Sequence, residues 1–240
     1  MLQGINMIKT VILAGGMGTR ISEETKKIPK PMVKIGNLPM IHHIIKIYES
    51  YGYKDFIICG GYKYKLISNY FKKTKLNSNV KVINTGMNTM TAGRILKIKK
   101  FLQKDALFFL TYGDGVSDVD LDKLLKLHNK SKKLLTLTAV QPNVKYGIVK
   151  FSKKNKIINK FEEKPKKHFI SAGFFVVSTK IFKYIKNSKT IFEFDCLPTL
   201  AKKKMIVGYK HKGFWHSLDT MKDKINLNKI WNKGKAPWIS

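Results

Sequence analysis

Thr10-Val-Ile-Leu-Ala-Gly-Gly-Met-Gly-Thr-Arg20, closed by Ile28-Pro-Lys-Pro-Met32, is the stretch that decides how this chain is read. Ile8 to Ala14 is mostly apolar, β-branched at Val11 and Ile12, and breaks abruptly into Gly15, Gly16 and Gly18. That texture predicts a buried parallel strand ending in a tight turn. Glycines there let backbone N–H groups approach an anion with no Cβ in the way. Thr19 adds a hydroxyl donor and Arg20 a planar fork that bonds two phosphate oxygens at once. Lys30, held between Pro29 and Pro31, adds a point charge. The loop is expected to bind a polyphosphate; the competing reading is a strand-to-helix turn with no ligand, since Gly-Gly-x-Gly alone is a weak signal.

Composition favours the ligand. The chain holds 45 lysines and two arginines, so lysine has replaced arginine almost everywhere. The two that remain are Arg20 in this loop and Arg94 in Thr91-Ala-Gly-Arg94, both after glycine-containing turns. Arginine kept in such a background points to a need for bidentate geometry, which charge alone does not meet.

Outward from the loop, strands and helices alternate. Pro39 to Tyr48 has apolar residues at helical spacing; Asp55 to Gly60 reads as a strand, Lys63 to Lys73 as a helix, Val80 to Ile83 as a strand and Thr91 to Leu102 as a helix. Ala106 to Thr111 is the most apolar strand candidate, followed by a helix over Leu121 to Lys130 and a strand over Leu134 to Val140. Then come successive strands at 147–151, 157–161 and 171–177, helices at 181–187 and 197–204, a strand at 205–209 and a closing helix at 220–232. This order predicts an α/β fold, a doubly wound, mostly parallel but mixed sheet of Rossmann-like type, with ligands at the strands' carboxyl ends. One domain is expected over 1–240, with a nucleotide-binding half over about 7–140 and an acceptor-binding half over about 141–240.

Of nine aspartates, Asp114 stands between Gly113 and Gly115 directly after the Ala106 strand, so its carboxylate should emerge at the same sheet edge as the glycine loop. Asp219, in Ser217-Leu-Asp-Thr220, precedes the last helix and reads equally as an N-cap or as a ligand. Glu163-Lys-Pro165 follows a strand and reads as a turn or as a binding element.

Gly15-Gly-Met-Gly-Thr-Arg20 with Pro29-Lys-Pro-Met32 resembles the signature of the sugar-1-phosphate nucleotidylyltransferases. Ser22-Glu-Glu-Thr25, Asp55-Phe-Ile-Ile-Cys59, Thr111-Tyr-Gly-Asp-Gly115, Gly213-Phe-Trp215 and Lys233-Gly-Lys-Ala-Pro-Trp238 are similar to the glucose-1-phosphate cytidylyltransferase branch, nearly end to end. The resemblance implies CTP and a phosphorylated acceptor, glucose 1-phosphate first, as substrates, with other phosphorylated small molecules as the alternative. It implies nucleotide contacts from Leu13, Ala14, Gly15, Gly16, Gly18, Thr19, Arg20, Lys30, Arg94 and Gly113, with the base met by Arg94 and the backbone from Leu13 to Gly15. It implies acceptor contacts from Tyr112, Glu163, Lys164, Ser171, Gly173 and Trp215, and catalytic roles for Arg20, Lys30 and Lys164. It also implies one Mg²⁺ held by Asp114 and Asp219, oxygen donors of the kind Mg²⁺ requires. Two departures bear on the acceptor: Ser171 stands where the family has asparagine, and Ala92 where it has glycine in a T-G-G-R element. Only Lys72 to Ile83 is available where the family carries a longer oligomer-forming segment, so a homo-oligomer is expected but the family's hexamer contacts do not carry over.

The net charge of +32 invites a nucleic-acid reading. The lysines are spread along the whole length, and Tyr62, Tyr64, Tyr70 and Phe71 fit an amphipathic helix better than a stacking platform. Nonspecific binding at low salt is expected and specific nucleic-acid recognition is not. No run approaches a membrane span of about 20 apolar residues. With no signal-peptide pattern, the expectation is a cytoplasmic protein with no membrane partner. Cys59 and Cys196 are too few for a disulfide framework and show no zinc spacing.

Overall fold

The computed structural model describes residues 8–142, 147–152, 156–163 and 168–239. The first half runs β1 (Thr10–Ala14), α1 (Ser22–Thr25), β2 (Lys34–Ile35), β3 (Leu38–Pro39), α2 (Met40–Ser50), β4 (Asp55–Gly60), α3 (Tyr64–Lys73), β5 (Asn79–Asn84), α4 (Thr91–Lys97), β6 (Leu107–Tyr112) and β7 (Gly115–Ser117). The second half runs α5 (Leu121–Ser131), β8 (Leu135–Val140), β9 (Ile148–Phe151), β10 (Ile158–Glu162), β11 (Ile170–Ser178), α6 (Leu197–Lys202), β12 (Ile206–His211), β13 (Trp215–Ser217) and α7 (Met221–Asn232).

Seven strands form the main sheet in the order β12-β8-β11-β6-β1-β4-β5. β1 pairs in parallel with β4 and β6, β4 with β5, and β12 with β8, whereas β11 runs antiparallel between β6 and β8. The mixed, mostly parallel sheet expected from the element order is what forms. β1 is buried throughout, and its residues alternate between two cores: Val11 and Leu13 pack on one face of the sheet, Ile12 and Ala14 on the other. A strand covered on both faces shows no alternation of apolar and polar residues, which is why Val11 to Ala14 is apolar without a break.

His43 and the two cysteines have structural surroundings. His43 is buried in α2; its Nε2 meets the Ile35 carbonyl at 2.9 Å and its Nδ1 accepts from Trp238 Nε1 at 3.2 Å, so the proton sits on Nε2. Burial lowers its pKa. Burial pushes the Cys59 thiol up to about 12 and Cys196 to about 11, which leaves both protonated and unreactive at neutral pH.

Two expected helices differ. The one over Thr91 to Leu102 ends at Lys97 and gives way to a 3₁₀ turn at Lys99–Phe101. The one over Ile181 to Asn187 is instead a 3₁₀ segment, Thr179–Tyr184, whose threonine, isoleucine and aromatic residues are weak helix formers. No helix among the described residues is long and apolar enough to cross a membrane.

Candidate active site

Because β1 and β6 are adjacent and parallel, the loops after Ala14 and after Tyr112 open at one edge of the sheet. β11 is antiparallel to β6, so its opening residues Ser171 and Gly173 arrive at that same edge. A cleft of about 630 Å³ lies there, lined by Leu13, Ala14, Gly15, Gly16, Gly18, Thr19, Arg20, Lys30, Arg94, Tyr112, Gly113, Asp114, Ser171 and Asp219, among others. Every residue expected to touch the nucleotide is in this lining. A smaller cavity of about 210 Å³ adjoins it, bounded by Tyr112, Asp114, Ser171, Gly173, Trp215 and Asp219.

The glycines of the first loop are explained by what surrounds them. Gly18 has φ +66°, a left-handed conformation, and a Cβ there would lie 2.8 Å from the Lys30 Cβ. A Cβ on Gly15 would lie 2.1 Å from the Arg94 guanidinium carbon. Gly18 also presents its carbonyl to the Thr25 hydroxyl at 3.0 Å, which ties the loop to α1.

Asp114 and Asp219 are 105 positions apart in sequence, and a two-stranded ladder brings them together. β7 and β13 are antiparallel with Gly115 opposite Ser217, each the near neighbour of an aspartate, and the Leu218 N–H donates to the Asp114 carbonyl at 2.8 Å. Thr220, and not Asp219, caps α7: its hydroxyl accepts from the Asp223 N–H while the Asp223 carboxylate takes the Thr220 N–H. Asp219 is therefore not the N-cap, and it lines the cleft.

Between the aspartates stands Lys30, with Nζ 2.7 Å from Asp114 Oδ2 and 2.8 Å from Asp219 Oδ1. Burial by itself disfavours the ammonium, but the two carboxylates outweigh it and raise the Lys30 pKa. For Asp219 burial acts upward, and the hydrogen bonds from Lys30 and Ser217 with the charges of Lys30 and Arg20 overcome it, holding the carboxyl below the usual range. Arg20 reaches Asp219 at 3.3 Å from an exposed position, so its remaining donors are open to a ligand.

Arg94 has a task the sequence did not disclose. Its guanidinium is buried and donates to the carbonyls of Gly15, Gly60, Gly86 and Met87 and to the Thr85 hydroxyl. It braces the glycine loop against the ends of β4 and β5 while also lining the cleft.

On the acceptor side, Gly173 has φ +79°, and a Cβ there would lie 2.5 Å from the Tyr112 ring. Trp215 donates its indole N–H to the Ala172 carbonyl at 2.8 Å, which fixes the ring along the smaller cavity. Glu163 follows β10 at an exposed position and lines neither cavity, and Lys164 lies outside the described residues. Glu193, which sequence reasoning missed, lines the main cleft: it accepts from the Tyr112 hydroxyl at 2.5 Å and from the Thr91 hydroxyl at 2.6 Å. Burial, with Glu193 and Asp114 nearby, raises the Tyr112 pKa, so its phenol stays a donor. The one available signal was an acidic pair, Glu193 and Asp195, in a lysine-saturated chain. Among the described residues no three His, Cys, Asp or Glu side chains cluster as a closed metal cage. The two aspartates alone would leave most of a cation's coordination to water and ligand oxygens.

The chain is 39% identical to the glucose-1-phosphate cytidylyltransferase of Salmonella typhi, over 96% of this chain and 98% of that one. It is 37% identical to the probable glucose-1-phosphate cytidylyltransferase of Bacillus subtilis (strain 168), over 96% and 99%. The crystal structure of HddC from Yersinia pseudotuberculosis superposes with a TM-score of 0.73 at 26% identity, covering 94% of this chain and 100% of that one. The Nucleotidyl transferase family model spans residues 9–233, taking in the glycine loop, Lys30, both aspartates and the Trp215 strand, and the chain belongs to that family.

Proposed function

We propose that this protein joins CTP and glucose 1-phosphate to give CDP-glucose and pyrophosphate. The observation that carries the reading is the convergence of the glycine loop, Arg20, Lys30, Asp114 and Asp219 on one cleft, in a chain that matches glucose-1-phosphate cytidylyltransferases over nearly its whole length. An oxygen of the acceptor phosphate attacks the α-phosphorus of CTP. One P–O bond forms, the bond to the β-phosphate bridging oxygen breaks, and its electron pair leaves with pyrophosphate. A phosphate monoester is already largely dianionic near neutral pH, so no general base is required. The protein's work is to bring two polyanions together and offset the charge that grows on the α-phosphate and the leaving group.

Within that reading the loop amides and the Arg20 fork hold the β- and γ-phosphates, and Lys30 meets the α-phosphate. Leu13 to Gly15 and Arg94 face the base. Asp114 and Asp219 offer the hard carboxylate oxygens that suit Mg²⁺, which when bound supplies further charge neutralisation to the nucleotide phosphates. Tyr112, Glu193, Ser171, Gly173 and Trp215 surround the sugar of the acceptor, and Lys164 neutralises its phosphate. A homo-oligomer located in the cytoplasm is part of the proposal, on the strength of the same resemblance.

The test is pyrophosphate release with CTP and Mg²⁺ against glucose 1-phosphate, other hexose phosphates and non-sugar phosphates. Glucose 1-phosphate should stand out sharply, because a hydrogen-bonding site rejects an acceptor that lacks the matched hydroxyl far more strongly than a methylene-sized misfit. A rate orders of magnitude below that of another acceptor would remove the glucose assignment. Equal turnover with UTP or dTTP would remove the cytidylyl assignment.

A further inference from the structure

A second cavity, also of about 630 Å³, lies apart from the cleft and is lined by Lys183, Lys186, Lys189, Thr190, Phe194 and Asp195, among others. Among the described residues none of these three lysines forms an ion pair; Lys189 Nζ touches only the Asn88 carbonyl, at 3.5 Å. The one carboxylate present, Asp195, is already engaged by the Ile191 N–H at 2.6 Å. Phe194, 78% exposed, is the most exposed large apolar side chain among the described residues, and it stands beside those cations. Lysines are common on this surface; a cavity that combines unpaired cations with a bare aromatic face is what distinguishes this place.

The segment that forms this cavity also forms the wall of the cleft. Phe192–Cys196 is a single π-helical turn, a geometry that recurs at functional sites, and Glu193 and Phe194 are neighbours in it. Glu193 lines the cleft and holds the Tyr112 and Thr91 hydroxyls, while Phe194 lines the second cavity. The Ser188 carbonyl accepts from the Met90 N–H at 2.9 Å and the Thr190 carbonyl from the Gly93 N–H at 3.2 Å. A Cβ on Gly93 would lie 2.3 Å from the Ser188 oxygen, so α4 rests on this segment without slack. A ligand that shifts 187–195 must therefore shift Thr91, Glu193 and the α4 turn.

We infer that this cavity is a second binding site, for a nucleoside phosphate, with the base on Phe194 and the phosphates among Lys183, Lys186 and Lys189, and that it communicates with the acceptor pocket through Glu193. The link to catalysis rests on the reaction proposed above; the binding does not.

The experiment uses ATP as probe with the full chain, at about 0.15 M salt to screen diffuse attraction. CTP and Mg²⁺ saturate the cleft and no acceptor is present. Calorimetry should show one ATP bound per chain. Phe194→Ala should weaken it about tenfold or more, the scale of one lost base stack, and Lys186→Gln/Lys189→Gln should weaken it likewise. In turnover assays at saturating CTP, ATP should change the acceptor KM by about fivefold or more in the parent and leave it unchanged in Phe194→Ala, whose KM without ATP matches the parent's. No saturable ATP binding overturns the site, as does binding that survives Phe194→Ala or that inorganic tripolyphosphate matches. Binding with a fixed acceptor KM overturns the link through Glu193. A failure of the enzyme reading would appear separately, as absent CTP binding or absent turnover with every acceptor.

Discussion

Replacing Lys30 with glutamine tests whether one ammonium holds the two aspartates of the cleft together. Nζ lies 2.7 Å and 2.8 Å from the carboxylates, the lysine side chain is 12% exposed, and Asp114 and Asp219 are 33% and 32% exposed. Breaking a fully buried pair costs about 3–5 kcal/mol and an exposed one about 0–1 kcal/mol. Carboxylates one-third open to water place this site between the limits, at about 1–2 kcal/mol. Glutamine keeps a hydrogen-bond donor and brings no charge, so among the described residues the exposed Arg20, on Asp219, is the cation that remains paired with either carboxylate. A divalent cation can then replace the missing charge. Mg²⁺ at ten times its dissociation constant should return about 1.4 kcal/mol to the variant. The parent should gain much less, because its ammonium already bridges the pair. Urea denaturation of both proteins, with and without Mg²⁺ and in the absence of nucleotide, measures both effects. A loss under about 0.5 kcal/mol, or an equal Mg²⁺ response in parent and variant, refutes the bridging argument.

Four further outcomes follow from the same geometry. Asp114→Asn should abolish turnover while leaving the fold intact, since it keeps the shape and removes a charge; near-normal activity at saturating Mg²⁺ would take Asp114 out of the site. Arg20→Lys should lower kcat/KM by about ten- to hundredfold, the value of a charged hydrogen bond of about 1.5–3 kcal/mol, because it keeps charge and loses the fork. A value within twofold of the parent would sink that reasoning. Gly173→Ala, strained by φ +79° and by contact with Tyr112, should cost about 1–3 kcal/mol and raise the acceptor KM; calorimetric melting at parental temperature would contradict it. Finally, the folded pKa of Asp219 is depressed, so its stabilising contribution is present above the ordinary carboxylate value of about 3.9 and is lost as pH falls through the folded value. Between pH 5 and pH 2 the parent should therefore lose more stability than Asp219→Asn, and parallel pH curves would disprove it.

The fold was legible because its signals are local. Val11 to Ala14 is apolar at every position since both faces of β1 are covered, and the glycines at 15, 16 and 18 mark where the strand stops. Asp114 was legible for the same reason, as a carboxylate between glycines at a strand end. Its partnership with Asp219 was not, because it depends on a ladder of three residues per strand, too short to leave a pattern. Glu193 was invisible for a different reason. Its place in the cleft is set by Tyr112 and Thr91, which lie 81 and 102 positions away, and a π-helical turn has no sequence period to announce it.

The rarity of arginine was a sound signal that pointed to two different needs. Arg20 stands exposed with one donor on Asp219, and it lines the cleft. Arg94 also serves the protein itself. Its guanidinium serves the carbonyls of Gly15, Gly60, Gly86 and Met87 and the Thr85 hydroxyl, acceptors that belong to the ends of three separate strand-to-helix connections. Lysine offers three donors on one atom and cannot span that set; arginine offers five on a rigid plane. The absence of side chains at Gly15 and Gly61 is the other half of the same arrangement, since a Cβ at either would lie within 2.6 Å of the Arg94 side chain. The glycine loop therefore owes its shape as much to the arginine behind it as to the phosphates proposed in front of it.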